Sequence, residues 1–295
     1  MFIDCPALVL PESSEQAAYI LQPGRQALKD KKRIVVKVGT STLTHESGAP
    51  NLRRMEQLAR ILADLKGAGH EVILVFSGAI AVGTSRLGLE ERPKELRMKQ
   101  AAAAVGQCRM MHIFDQFFAE YNQSAAQILL TGDDVEIPVR EEHLRRTFSA
   151  LLEMGVIPVV NENDSVSSAE IETGNHKVLG DNDTLSAIVA KLCGADLLVL
   201  LSDIDGLYDS DPKENPGAKL LHRVEELTPE IFEMAGGAGT WRGTGGMATK
   251  LSAAGIAMAA GCDMVIANGA RMEDLYGIVE ERAIGTRFLA SAEGK

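Results

Sequence analysis

The sequence predicts an α/β fold around a mainly parallel sheet, and three features predict it. Short apolar, β-branched runs recur along the chain, among them residues 34–38, Glu71–Phe76, residues 156–160 and residues 197–201. Runs without polar alternation suit strands covered on both faces. Stretches with apolar residues at helical spacing lie between them, so strand and helix alternate as in βαβ units. Polar or glycine-bearing segments follow several strands, and open α/β sheets bind their ligands at the carboxyl ends of strands.

The elements follow in order. Residues 1–32 are mixed in pattern and read as an N-terminal arm ahead of one domain, residues 33–295, with Pro11-Glu12-Ser13-Ser14 as a possible helix start. The first strand, IVVKV at 34–38, carries Lys37 inside an apolar run. A lysine in a buried strand is unfavourable unless an anion meets it; the alternative is an edge strand with Lys37 in solvent. Leu52, Met55, Leu58, Ala59, Leu62 and Leu65 make one helical face, closed by Gly67 and Gly69. Strand Glu71–Phe76 turns out through Ser77-Gly78, a turn able to aim backbone and hydroxyl donors at an oxyanion. A long helix spans residues 95–121, and its small residues 101–104 let another helix approach closely. A third strand at Ala125–Leu130, a helix at 140–154 and a strand at 156–160 lead into a polar stretch bearing Asn161, Asn163, Asp164, Asp181, Asn182 and Asp183.

Asn182–Cys193 reads as a helix capped by Asp181 or Asn182. Asp183 then faces the preceding strand end or serves only the helix dipole. Strand 197–201 leaves through Ser202-Asp203-Ile204-Asp205-Gly206. GGAGTWRGTGG, residues 236–246, precedes a helix at 247–260 with Lys250 in its first turn. Backbone N–H groups and a helix N-terminus ahead of a lysine form an anion cradle. The spacing is not GxxxxGK[ST], so this is no Walker loop. Residues 264–267 are expected to close the sheet as a late strand, and 285–288 to end the fold.

Composition narrows the partners. The 295 residues are 45% hydrophobic, with mean hydropathy of zero, and the apolar stretches are far too short to span a bilayer. A net charge of −11 opposes a nucleic-acid backbone. It does not oppose a small anion held by a local lysine pair, because distant charge is screened. No basic region followed by an apolar core opens the chain, so a cytoplasmic protein is expected. Cys5, Cys108, Cys193 and Cys262 form no CxxC pair and read as free, buried thiols.

The chemistry-bearing residues are Lys37 and Lys250 on separate elements, the turns at Gly39 and Gly245-Gly246, and the cluster Asp164, Asn182 and Asp183. No His, Cys or Ser has an evident nucleophilic partner, so acyl-enzyme chemistry is poorly supported. Phosphoryl transfer, which depends on positioning and charge neutralisation, suits the set.

IVVKVGTSTLT, FSGAIAVG, VIPVVNENDSV, GDNDTLSA, LLSDIDGLY and GTGGMATK, in this order, resemble the amino acid kinase family and, within it, the glutamate 5-kinases, from Arg33 to Phe288. The resemblance implies a three-layer αβα sandwich around a mainly parallel open sheet. It implies ATP-dependent phosphorylation of the side-chain carboxylate of L-glutamate, the entry step of proline biosynthesis, with Mg2+ carried on the nucleotide phosphates. By the same resemblance, Lys37 and Lys250 hold the phosphates and the transferring group, and Asp183 orients them. Ser77, Asp164 and Asn182 hold glutamate. Gly39, Ser202, Asp203, Thr244, Gly245, Gly246, Met247, Ala248, Thr249 and Lys250 hold the nucleotide.

A homo-oligomer, dimer or tetramer, and a glutamyl phosphate reductase partner are implied as well. The chain departs from the family's pattern in three ways: Phe76 stands where a small polar residue is common, the N-terminal arm is longer, and the RNA-binding-like C-terminal domain of many members is not expected. The rivals are a kinase for N-acetylglutamate, aspartate or carbamate, and a non-catalytic nucleotide or amino-acid sensor on the same fold. An N-acetylated substrate has no ammonium to meet Asp164, and the joint presence of Lys37, Asp183 and Lys250 speaks against a sensor.

Overall fold

The computed structural model describes residues 32–166, 181–212, 214–234 and 246–291. The expected arm up to residue 31, its helix start, and the glycine-dense stretch through Gly245 lie outside the described residues.

The described chain runs β1 (Arg33–Val38), α1 (Thr40–Leu43), α2 (Leu52–Gly67), β2 (Glu71–Phe76), α3 (Ala79–Arg86), α4 (Leu96–Glu120), β3 (Ala125–Leu130), α5 (Gly132–Glu136), α6 (Pro138–Glu153) and β4 (Ile157–Glu162). It continues with α7 (Asn182–Cys193), β5 (Leu197–Ser202), β6 (Arg223–Val224), α8 (Pro229–Met234), α9 (Met247–Ala259), β7 (Asp263–Asn268), α10 (Asp274–Val279) and β8 (Thr286–Phe288). These strands form one eight-stranded sheet in the order β3-β4-β2-β1-β5-β7-β8-β6. Every pairing is parallel except β7 with β8.

Strand alternation divides the core in two. Ile34, Val36 and Val38 of β1 pack with Met55, Leu58 and Leu62 of α2, Phe114 and Phe118 of α4, and Leu275 and Ile278 of α10. Val35 faces the other way, into a cluster with Phe148 and Leu152 of α6, Leu185 and Val189 of α7, and Leu251 and Ala254 of α9. Two helical layers thus enclose the sheet, as the αβα sandwich requires. Each fully buried Leu, Val or Phe contributes about 1.5–3 kcal/mol relative to exposure. With a buried row on each side, neither layer can be lifted without exposing a core.

β1 lies between β2 and β5, with Lys37 in register with Val75 and Leu200. The edge-strand reading of Lys37 is therefore excluded. The small-residue stripe of α4 does what its composition suggests. A Cβ on Gly83 would stand 1.7 Å from the Ala102 carbonyl oxygen, and one on Gly106 would stand 1.8 Å from that of Ala79. Helices α3 and α4 cross backbone to backbone, which only glycine permits.

The structure corrects several expectations. The turn out of β2 is confined to Ser77-Gly78, and the chain goes directly into helix α3 at Ala79–Arg86, which the sequence reading does not assign. The strand expected at 156–160 is Ile157–Glu162, so Asn161 belongs to the strand and is 2% exposed rather than part of a polar loop. Residues 264–267 do not close the sheet: β7 runs Asp263–Asn268, and β8 and β6 lie beyond it. Those two strands have three and two residues, too few for a period-2 pattern to register. Cys193 and Cys262 are buried free thiols, each pushed up to about 12 by burial. Cys108, expected to be buried, is exposed on α4.

Candidate active site

Because β1, β2, β4 and β5 are parallel, their carboxyl ends share one edge of the sheet, and the segments leaving them carry the residues singled out above. From β1 the chain passes to β2 on one side, whereas β5 joins β1 on the other. A reversal of this kind opens a crevice at the strand ends, where open α/β sheets bind ligands.

Lys37, near the end of β1, points to the face covered by α7 and α9. Its Nζ lies 2.5 Å from Asp183 Oδ1, and Lys250 Nζ lies 3.1 Å from Asp183 Oδ2. Asp183 is 5% exposed and Lys250 8%. Burial by itself would raise the Asp183 pKa, but the two ammonium groups overrule it and hold the carboxyl below the usual carboxylate range. Thr249 Oγ1 adds a contact to Asp183 Oδ2 at 3.4 Å, and both Thr249 and Lys250 donate to the Gly246 carbonyl, at 3.0 and 3.4 Å. The cluster sets two ammonium groups against one carboxylate. Buried charge is stable only when balanced, so this centre is complementary to a further anion.

The local chemistry of the sequence explains the placement. Asp181, not Asn182, caps α7: its Oδ1 accepts from the N–H groups of Asp183 and Thr184 at 2.7 and 3.0 Å. With the cap supplied by Asp181, the Asp183 side chain is left for the lysines rather than for the helix end. Gly246 holds a left-handed φ of 89° ahead of α9, where Met247 and Ala248 open the helix, and Gly78 precedes α3. Neither helix start is capped by a side chain, so first-turn N–H groups are available to a ligand anion.

Asn182 donates from Nδ2 to the Phe76 carbonyl at 2.6 Å and to Asn161 Oδ1 at 2.9 Å, and Asn161 Nδ2 donates to Gln107 Oε1 at 3.0 Å. The Phe76 ring itself is wholly buried beside Phe114, with centroids 5.5 Å apart. The residue that departs from the family pattern therefore offers its carbonyl to the amide chain and its side chain to the core. Ser77 Oγ lies 3.1 Å from Thr40 Oγ1, next to Gly39. Ser202 and Asp203, joined at 3.1 Å, sit at the end of β5.

Asp164 lies apart from the ionic cluster. It lines a neighbouring cavity of about 460 Å³ with Glu162, Asn163, Gln107, His112 and Ala79, and neither lysine lines that cavity. Burial, followed by the nearby Glu162 charge, raises the Asp164 pKa to about 6, with Arg92 opposing. The structure thus brings together Lys37, Asp183, Thr249, Lys250 and Gly246, sets Asn182 beside them, and separates Asp164 into the adjoining cavity. Thr244 and Gly245 lie outside the described residues.

The amino acid kinase family profile matches residues 32–268. The chain belongs to the amino acid kinase family. It is 56% identical over 266 residues to the glutamate 5-kinase of Clostridium perfringens (strain 13 / Type A), covering 90% of this chain and 98% of that one. It is 53% identical over 266 residues to the glutamate 5-kinase of Clostridium tetani (strain Massachusetts / E88), covering 90% and 97%. Among solved structures it resembles the UMP kinase of Bacillus anthracis, with a TM-score of 0.59, 18% identity, and coverage of 90% of this chain and 98% of that one. At that identity the likeness speaks to the amino acid kinase fold alone. No helix among the described residues is long and apolar enough to cross a membrane.

The sequence singles out Asn161 among the polar residues that follow the strand but not its pairing with Gln107 and Asn182, and it gives no sign of Gln107, which lies just beyond the small residues 101–104 of α4.

Proposed function

We propose that this chain transfers the γ-phosphoryl group of ATP to the side-chain carboxylate of L-glutamate, giving L-glutamyl 5-phosphate, the first step of proline biosynthesis. The observation that carries the reading is the Asp183 carboxylate bridging Lys37 and Lys250 at the carboxyl edge of the sheet. Identity above 50% to two glutamate 5-kinases supports the choice of acceptor within the family.

The acceptor carboxyl has an ordinary pKa of about 4.3 and is ionised at pH 7, so no general base is required. The difficulty is that one anion must attack another. Lys37 and Lys250 offset that repulsion, held in place by Asp183, while the first-turn N–H groups of α9 hold the phosphates. When bound on the triphosphate, Mg2+ supplies further charge neutralisation; among the described residues no group of three or more His, Cys, Asp or Glu could hold a metal ion. Gly39, Ser202, Asp203 and residues 244–250 hold the nucleotide, and Ser77 and Asn182 bind the acceptor. Asp164 receives the substrate ammonium in the cavity, which separates a free amino acid from a simple dicarboxylate or an N-acetylated one. By the same reading the chain works in the cytoplasm as a homo-oligomer and passes its product to a glutamyl phosphate reductase; the lability of an acyl phosphate supports that hand-over.

A substrate panel with ATP, trapping acyl phosphate as hydroxamate, tests the proposal. Hydroxamate from L-glutamate but not from N-acetylglutamate, aspartate or carbamate is expected. Preference for one of the others, or no turnover at all, would replace it with another family activity or a sensor role.

A further inference from the structure

The amide chain beside the ionic cluster ends in a donor that has no partner among the described residues. The Phe76 carbonyl can only accept, so the Asn182 side-chain atom facing it at 2.6 Å is the nitrogen. That nitrogen also faces Asn161 at 2.9 Å, so Asn161 presents its oxygen there and its nitrogen to Gln107 at 3.0 Å. Gln107 must then present its oxygen to Asn161. An amide flip at any one position would put two donors or two acceptors face to face, so the orientation is fixed along the whole chain.

What remains is Gln107 Nε2. It is buried, in a residue 8% exposed, and has no hydrogen-bond partner among the described residues. A buried donor left unpaired is unfavourable, because it has lost its water without gaining an acceptor. Such a group persists where a ligand supplies the missing acceptor. Gln107 lines the same cavity as Ala79, the first residue of α3, and Asp164. Gly106 allows this, since any side chain there would strike the Ala79 carbonyl. The cavity lining therefore includes Gln107, the first residue of α3, and the carboxyl-bearing residues Glu162 and Asp164 at and just beyond the end of β4. This is the complement of a zwitterion.

We infer that Gln107 Nε2 binds the α-carboxylate of the amino-acid substrate, and that Asn182 and Asn161 hold it in the donating orientation. The inference rests on the functional reading above and adds a specificity residue to it. Because Asn182 precedes Asp183, the chain also ties the seat of the substrate to the start of α7. A ligand that lacks an α-carboxylate leaves Nε2 unpaired, so the pocket selects against it.

Steady-state kinetics of Gln107→Ala and Gln107→Glu, with glutamate and ATP varied separately, test this. Gln107→Glu keeps an oxygen acceptor for Asn161 at nearly the same shape and replaces only the free donor with a carboxylate, so it decides the matter should Gln107→Ala fail to fold. The expected result is a glutamate KM raised at least ten-fold in Gln107→Ala and further in Gln107→Glu, with ATP KM within two-fold and kcat within three-fold of wild type. A glutamate KM within two-fold of wild type, or equal losses in ATP KM and kcat, would overturn the inference and leave Gln107 a packing residue. If wild type itself forms no glutamate-dependent hydroxamate, the functional reading fails and takes this inference with it.

Discussion

The Lys37 ammonium, near the carboxyl end of the interior strand β1, lies 2.5 Å from the Asp183 carboxylate. Since the same carboxylate holds Lys250 at 3.1 Å, removing either lysine takes away charge aimed at the transferring group. Lys37→Ala and Lys250→Ala are each expected to lower kcat by roughly 10²–10³, the scale of one lost oxyanion donor. Turnover measured at saturating ATP and glutamate checks this, and near-normal kcat in both variants would contradict it.

Asp183→Asn should act on stability as well as on rate, because it leaves the buried Lys250 ammonium and the part-buried Lys37 ammonium without their counter-charge. Breaking a buried pair by removing one partner costs about 3–5 kcal/mol. The sign with pH follows from the depressed Asp183 pKa. Its stabilisation is present above the unfolded-state value of about 3.9 and is lost as pH falls through the lower native one. Denaturant unfolding from pH 7 down to 3 should show a shallower acid loss in Asp183→Asn than in wild type.

Asp164 has the opposite sign. Its pKa is raised to about 6, so its ordinary-state stability contribution is present below about 3.9 and lost as pH rises through about 6. Asp164→Asn should therefore be more stable than wild type above pH 6, read as a higher thermal midpoint, while its glutamate KM rises far more than its ATP KM. In wild type the glutamate KM should climb as pH drops through about 6, where the carboxyl protonates, and Asp164→Asn should lose that dependence.

Gly106→Ala introduces a Cβ that would sit 1.8 Å from the Ala79 carbonyl oxygen. Overpacking of this kind costs about 1–3 kcal/mol, and relief requires α4 to move away from the start of α3. Lower stability together with a raised glutamate KM is expected, since Ala79 and Gln107 line the same cavity.

Much of this was legible in the sequence because the signals were local. Lys37 inside IVVKV, Asp183 next to a capping Asp181, and Lys250 after a glycine run are each visible in a few residues, and the alternation of apolar runs predicts the parallel core. What escaped reading depends on distant pairings. Asn161 looks like a loop residue until β4 is seen to continue through Glu162 beside β3. Gln107 looks like an ordinary helix residue until Gly106 brings α4 onto α3 and Asn161 fixes its amide. Strands β6 and β8 are too short to carry a period and exist only through the edge at β7.

The central claim, that the Lys37–Asp183–Lys250 centre directs the side-chain carboxylate of glutamate onto ATP, is tested most directly with glutamate labelled with 18O in that carboxylate. Attack by a carboxylate oxygen on the γ-phosphorus expels ADP and leaves the label bridging carbon and phosphorus. Cyclisation of the acyl phosphate by the substrate amine then breaks the carbon–oxygen bond and releases phosphate with that oxygen attached. The account predicts one 18O in each phosphate released by the wild-type protein; unlabelled phosphate, the mark of water attacking ATP, would contradict it.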